Sequence, residues 1–201
     1  MQDMALRKRK DGLMTPLARE FFATIHPNYL SVAALVVGLT SAAAIAGQQL
    51  GLGFALWILN RGLDGLDGAV ARAHNKQSDF GAYLDLLLDF VIYLAIPLAF
   101  IRIAPTGLNM WAALVLLSAY VLNLLSWTTL STLLEKRRMG SPGRLTGVEM
   151  PAGLIEGAET ILFYSLFFLL PAHIGLLFGV LALLVFITAG QRVIWAYRHL
   201  T

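Results

Sequence analysis

Four of the chain's 12 acidic residues fall in two apolar stretches, Asp64 and Asp67 in the first, Asp85 and Asp89 in the second. Residues three or four apart share a helix face, so each pair presents two carboxylates to one side. Gly68, Ala71 and Arg72 lie on the same broad face as the first pair, and Gly81, Asp85 and Asp89 step by four in the second. Only His74 to Ser78 separate the stretches, so the two helices are expected to pack antiparallel and offer all four carboxylates to one space. A charge within a bilayer costs on the order of a few kcal/mol, and crowded carboxylates also repel one another. Divalent cations relieve both penalties. Hard oxygen ligands suit Mg²⁺ or Mn²⁺, and the chain has no cysteine and no paired histidines that would favour zinc. Gly65, Gly68 and Gly81 leave room for a backbone or a bulky ligand, although helix packing alone accounts for Gly65. One aspartate could be a structural hydrogen-bonding group; four, with Arg72 at one end, point to a site.

The elements that must position these residues follow from composition. Apolar residues make up 58% of the 201 positions, charged ones only 13%, and the mean hydropathy is +0.71. Soluble domains carry roughly 25% charged residues. This is an all-α membrane chain on composition, with room for six spans of about 20 residues and no separate soluble domain. The spans are expected at about 29–47, 50–73, 79–101, 109–134, 152–170 and 173–196. Residues 1–28 form a basic N-terminus and an amphipathic juxtamembrane helix; 29–201 form the six-helix catalytic domain. In that amphipathic helix Leu13, Leu17, Phe21 and Ile25 recur every four residues beside Met14, Ala18 and Phe22, while Arg19 and Glu20 face away. It can lie in the membrane interface or pack against the bundle. His26-Pro27-Asn28 ends it, and Asn28 or Ser31 can cap the first span.

Lys and Arg set the orientation. With the N-terminus inside, the inner side holds Arg7 to Lys10, Arg19, Arg72, Lys76, Lys136 to Arg138, Arg144, Arg192 and Arg198, against Arg102 outside and Arg61 within span two. Both termini and the aspartate site are therefore expected to be cytoplasmic, in a multi-pass inner-membrane protein. The basic N-terminus adjoins no apolar h-region and does not read as a cleaved signal peptide.

The spacing D-x2-D-G-x2-A-R-x8-G-x3-D-x3-D, carried here by Asp64, Asp67, Gly68, Ala71, Arg72, Gly81, Asp85 and Asp89, resembles the signature of the CDP-alcohol phosphotransferases (class I). The layout, an amphipathic helix and six spans with the motif across the second and third, is also similar. The resemblance implies transfer of a phosphatidyl group from a CDP-alcohol, foremost CDP-diacylglycerol, to a small alcohol or lipid acceptor, with release of CMP. It implies that Asp64, Asp67 and Asp85 hold two Mg²⁺ or Mn²⁺ ions, with Asp89 at the edge of the set. It further implies that Asp64, Gly68, Ala71, Arg72 and Gly81 surround the CDP group, that Asp89 is the general base, and that the protein is a homodimer. Such a transfer runs on positioning and charge neutralisation, and a base not wholly occupied by metal suits the outlying Asp89.

The acceptor is less legible. Arg144, in a Ser-Pro-Gly-Arg loop, is a candidate for an anionic acceptor, with ordinary positive-inside charge as the plainer reading. Glu156 and Glu159, three apart in an apolar helix, favour a neutral or amine-bearing acceptor, or else an ion pair with Arg144 or Arg192. The family's phosphatidylglycerol phosphate branch carries a Gly-Lys motif here and its inositol-phosphate branch arginines; this chain shows neither pattern. An ion-coupled transporter or divalent-cation channel would also use intramembrane carboxylates. Against it stand the missing repeat, the clustering at one end of two helices, and Arg72. No nucleic-acid partner is expected.

Overall fold

A computed structural model describes Met14, Pro16 and residues 18–138 and 153–200. Arg144 and the basic residues 7–10 lie outside these. The described residues are helical, without strands: α1 (Pro27–Ala46), α2 (Leu50–Ala73), α3 (Asp79–Ile103), α4 (Gly107–Arg138), α5 (Gly157–Leu169), a 3-10 turn (Pro171–His173) and α6 (Ile174–Leu200). They form two compact units that meet in sequence between Ala104 and Pro105.

In the first unit the close backbone contacts run from α1 to α2 and from α1 to α3. Helices α2 and α3, expected to pack antiparallel, both lean on α1 and meet each other through side chains, Arg61 of α2 reaching Tyr93 and Asp89 of α3. Small residues make this possible. A Cβ on Gly38 of α1 would fall 2.6 Å from Ile92 Cδ1 and 2.9 Å from Asn60 Nδ2, so only glycine admits both neighbours. Asn60 Nδ2 in turn donates to Ala34 O at 2.7 Å, and Ser41 Oγ to Gly53 O at 2.7 Å. Each buries a polar group with its partner satisfied.

The cap of α1 is corrected. His26 occupies the N-cap and its Nδ1 accepts from Asn28 N at 3.3 Å, with Pro27 in the first turn, where its missing N–H costs nothing. Ser31 lies inside the helix and its hydroxyl does other work. At the far end Gln48 takes a left-handed φ of 64°, with Gln49 N bonded to Ala44 O and Gln48 N to Ile45 O, a Schellman closure. The end of α2 repeats the device: Asn75 has φ 54° and Lys76 N bonds Ala71 O. Ser78 then caps α3, its hydroxyl accepting from Gly81 N at 3.0 Å.

The N-terminal segment packs against this unit. Ala18 is buried with Leu30, Leu66, Ala69 and Val70, and Met14, Phe22 and Ile25 flank the cluster, while Phe21 is exposed. Lys76 Nζ donates to Ala23 O and Ile25 O, and His74 Nε2 lies 3.0 Å from Ala18 O, so the α2–α3 turn holds the segment's last carbonyls.

In the second unit α4 packs along α6, and α5 against α6. Tyr164, Phe167 and Phe178 form its aromatic core. Helix α5 begins five residues later than the expected 152, because Glu156 is its N-cap. At 13 residues it is about 20 Å long, short of a bilayer's hydrocarbon thickness. Among the described residues four helices, α1, α3, α4 and α6 with its leading turn, are long and apolar enough to cross a membrane. Helix α2 has the length, but Arg61, Asp64, Asp67 and Arg72 make it too polar to count on composition.

Candidate active site

The motif residues fall into two layers of the first unit. A cavity of about 200 Å³ is lined from α2 by Asp67, Gly68, Ala71 and Arg72 and from α3 by Gly81 and Asp85. Asn28 and Ser31 of α1 and Lys76 of the turn complete its wall. Asp64 and Asp89 each sit one helical turn further from the α2–α3 turn. With Asp85, Ser31 and Asn60 they surround a second space of about 10 Å³, roughly one water-sized sphere. Asp85 and Ser31 border both spaces. All eight motif residues are thus gathered, but not around one point.

In the outer layer Asp67 is held on both oxygens and only 4% exposed. Ser31 Oγ donates to its Oδ2 at 2.6 Å, and Gly68 N donates to its Oδ1. The carboxylate therefore has a fixed direction. Gly68 also carries the Arg72 guanidinium close over it: a Cβ there would stand 3.2 Å from Arg72 Nη1. A Cβ on Gly81 would come within 3.0 Å of the Ser78 hydroxyl that caps α3. Both glycines keep the cavity wall thin.

The inner layer contains a cation that the motif does not include. Arg61 is 8% exposed; its Nη2 donates to Asp89 Oδ1 at 2.9 Å, and Nη1 lies 3.7 Å from Asp64 Oδ2. Its Nε donates to Asn60 Oδ1 at 2.8 Å and Nη1 to the Tyr93 hydroxyl at 3.3 Å. The guanidinium carbon stands 4.8 Å from the ring centre of the fully buried Trp57 and 5.4 Å from that of Tyr93. Planar stacking and a fork of donors are what distinguish Arg from Lys at such a place. Arg61 was visible in the sequence as the cation within span two, three residues before Asp64, and that (i, i+3) spacing was the available signal. Ser31 gave no comparable signal.

A divalent metal fits the donor chemistry, since every candidate ligand is a carboxylate oxygen. Among the described residues no three such groups are already closed on one point. An ion bound by Asp64 and Asp89 would have to compete with Arg61.

Glu156 and Glu159, in the second unit, form a reciprocal capping box at the start of α5. Glu159 Oε2 accepts from Glu156 N at 3.1 Å, and Glu156 Oε1 also accepts from Gly153 N at 3.0 Å. Arg192 Nη1 donates to Asn123 Oδ1, and its charge also attracts Glu156, so the expected pairing with Arg192 is present as a longer-range attraction beside the cap.

A profile described as CDP-alcohol phosphatidyltransferase matches residues 24–196. The chain is 33% identical over 177 residues to Inner membrane protein YnjF of Escherichia coli, covering 88% of this chain and 85% of that protein. It is 46% identical over 63 residues to the Bifunctional IPC transferase and DIPP synthase of Aquifex aeolicus, a match to 31% of this chain and 14% of that one. In fold it is similar to Mycobacterium tuberculosis phosphatidylinositol phosphate synthase with CDP-DAG bound, at TM-score 0.66 and 21% identity, covering 90% of this chain and 91% of that one. Together with the four apolar helices, these matches make this a membrane protein and a transferase of substituted phosphate groups. The chain belongs to the CDP-alcohol phosphatidyltransferase family.

Proposed function

We propose that the protein transfers a phosphatidyl group from CDP-diacylglycerol to an acceptor hydroxyl, releasing CMP. The observation that carries this reading is the convergence of Asp67, Gly68, Ala71, Arg72, Gly81 and Asp85 on one cavity. At about 200 Å³ that cavity suits part of a ligand, the nucleotide end, with the lipid tails left in the bilayer. Arg72 and Lys76 supply positive charge for the diphosphate, and Gly68 and Gly81 allow the nucleotide to approach the helix backbones. Mg²⁺ or Mn²⁺, as two ions on Asp64, Asp67 and Asp85 with Asp89 at their edge, would supply charge neutralisation on the diphosphate oxygens. Ser31 aims Asp67, and Asp89 accepts the acceptor's hydroxyl proton. The new O–P bond forms as the phosphoanhydride bond breaks, and CMP leaves.

In this reading residues 29–201 form six spans, with α2 crossing because its charges face the site, and 1–28 lie at the interface. Both termini and the site face the cytoplasm at the inner membrane, and the protein is a homodimer. The acceptor is neutral or carries an amine, with Arg144, Glu156 and Glu159 assigned to its side.

Purified protein in lipid nanodiscs, with Mg²⁺ or Mn²⁺, radiolabelled CDP-diacylglycerol and a panel of alcohols that includes inositol phosphate, is expected to release CMP with one acceptor class. Absence of CMP release with every acceptor, together with cation flux in liposomes, would replace this reading with a transporter.

A further inference from the structure

We infer that Arg61 is a positioning residue that reserves Asp89 for the acceptor and limits the carboxylate cluster to one divalent ion until the donor's diphosphate arrives. This rests on the transfer reading above.

Three observations carry it. Arg61 is bound in a way that fixes its location: rings at 4.8 and 5.4 Å, and separate donors engaged by Asn60, Tyr93 and Asp89. Its charge reaches the two inner aspartates, Asp64 and Asp89, and neither of its contacts is to Asp67, which Ser31 and Gly68 hold instead. The space shared by Asp64, Asp85 and Asp89 is about 10 Å³, the size of one small ion.

Charge decides the rest. Four carboxylates and one guanidinium carry three net negative charges, which a first divalent ion reduces to one. A second ion would leave a buried excess of positive charge, and an uncompensated buried charge is costly. The diphosphate of the donor supplies the missing negative charge, so the second ion is expected to enter with it. With Asp89 Oδ1 on Arg61, that carboxylate keeps its orientation and has one oxygen committed away from the first ion.

A purely structural Arg61 would be a buried ion pair whose loss weakens the fold and nothing else. Mn²⁺ titration followed by electron paramagnetic resonance, without donor, separates the two. Wild-type protein is expected to bind one Mn²⁺, and a second only after CDP-diacylglycerol is added. Arg61→Met is expected to bind two without donor. Its kcat should fall about 10- to 100-fold while the donor KM stays within about threefold, as for loss of a group that orients a ligand. Arg61→Lys keeps the charge but lacks the fork, so it is expected to bind one Mn²⁺ without donor, as wild type does, while its kcat falls. If Arg61→Met does not fold, Arg61→Gln, which also removes the charge, decides: a second ion without donor sustains the inference, and a single ion overturns it. Two ions on the wild type without donor also overturn it. Ion counting needs no turnover, so a wild type that binds ions as expected but releases no CMP would refute the transfer reading and leave the ion count standing.

Discussion

Two acidic pairs in this protein share the same spacing and differ in what surrounds them. Asp64 and Asp67 lie in the interior of α2, where the backbone N–H groups have intrahelical acceptors within reach, so their carboxylates look mainly to side chains. They find Arg61, the Ser31 hydroxyl and, for Asp67, the adjacent Gly68 N–H. Glu156 and Glu159 lie at the start of α5, where the first N–H groups have no intrahelical acceptor. They turn back and satisfy those groups, Glu159 on Glu156 N and Glu156 on Gly153 N and the N3 amide. An acidic pair three apart therefore means different things at a helix end and in a helix middle. The first is local architecture; the second draws its partners from its own helix and, through Ser31, from α1, and those partners build a site.

The comparison breaks most visibly at Asp67. Asp67→Asn keeps the shape but removes the charge, and CMP release is expected to fall at least about 10³-fold, roughly 4 kcal/mol of transition-state stabilisation. Thermal unfolding in detergent should stay near the wild-type temperature; a variant with undiminished turnover would remove Asp67 from the site. Ser31→Ala loosens the same carboxylate without touching its charge. A loss of about 10- to 100-fold in kcat/KM is expected, the range for partners behind a ligating group, measured with the same CMP assay.

At α5 the informative change is Glu159→Gln, which can still accept in the capping box but is neutral. If the acceptor assignment is right, acceptor kcat/KM falls about tenfold, one charge-assisted contact, while CDP-lipid binding survives. Unchanged kinetics would leave the glutamates as a cap alone. Glu159→Ala additionally removes the cap and should cost about 1 kcal/mol of stability in a denaturant titration. The smallest effect is expected at Gly68→Ala, where the new methyl displaces the Arg72 guanidinium by a few tenths of an ångström. Donor KM should rise about threefold, under 1 kcal/mol, with kcat nearly constant; a larger fall in kcat would place Gly68 nearer the reacting atoms than the cavity wall.

Much of the fold was legible because apolar length is a local property. The expected second span, 50–73, matches α2 at both ends, and the third begins where α3 does, at residue 79. The fifth was misplaced at its start because 152–156 are as apolar in composition as a helix, and only the capping geometry shows that Glu156 stops them from joining it. The N-terminal stripe was legible as amphipathic, but which side met protein was not: Met14, Ala18 and Phe22 turn inward and Phe21 outward.

By itself the sequence determined the chemistry: carboxylates at fixed helical spacing inside apolar runs must meet cations, and their pattern matched one family. Tertiary structure decided how those carboxylates are shared out. Because α1 stands against both α2 and α3, the motif opens into an outer cavity and an inner ion-sized space. Ser31 reaches Asp67 and Arg61 reaches Asp89 across helices, from positions that carry no motif, and those pairings depend on how three helices pack, which no spacing along one helix contains.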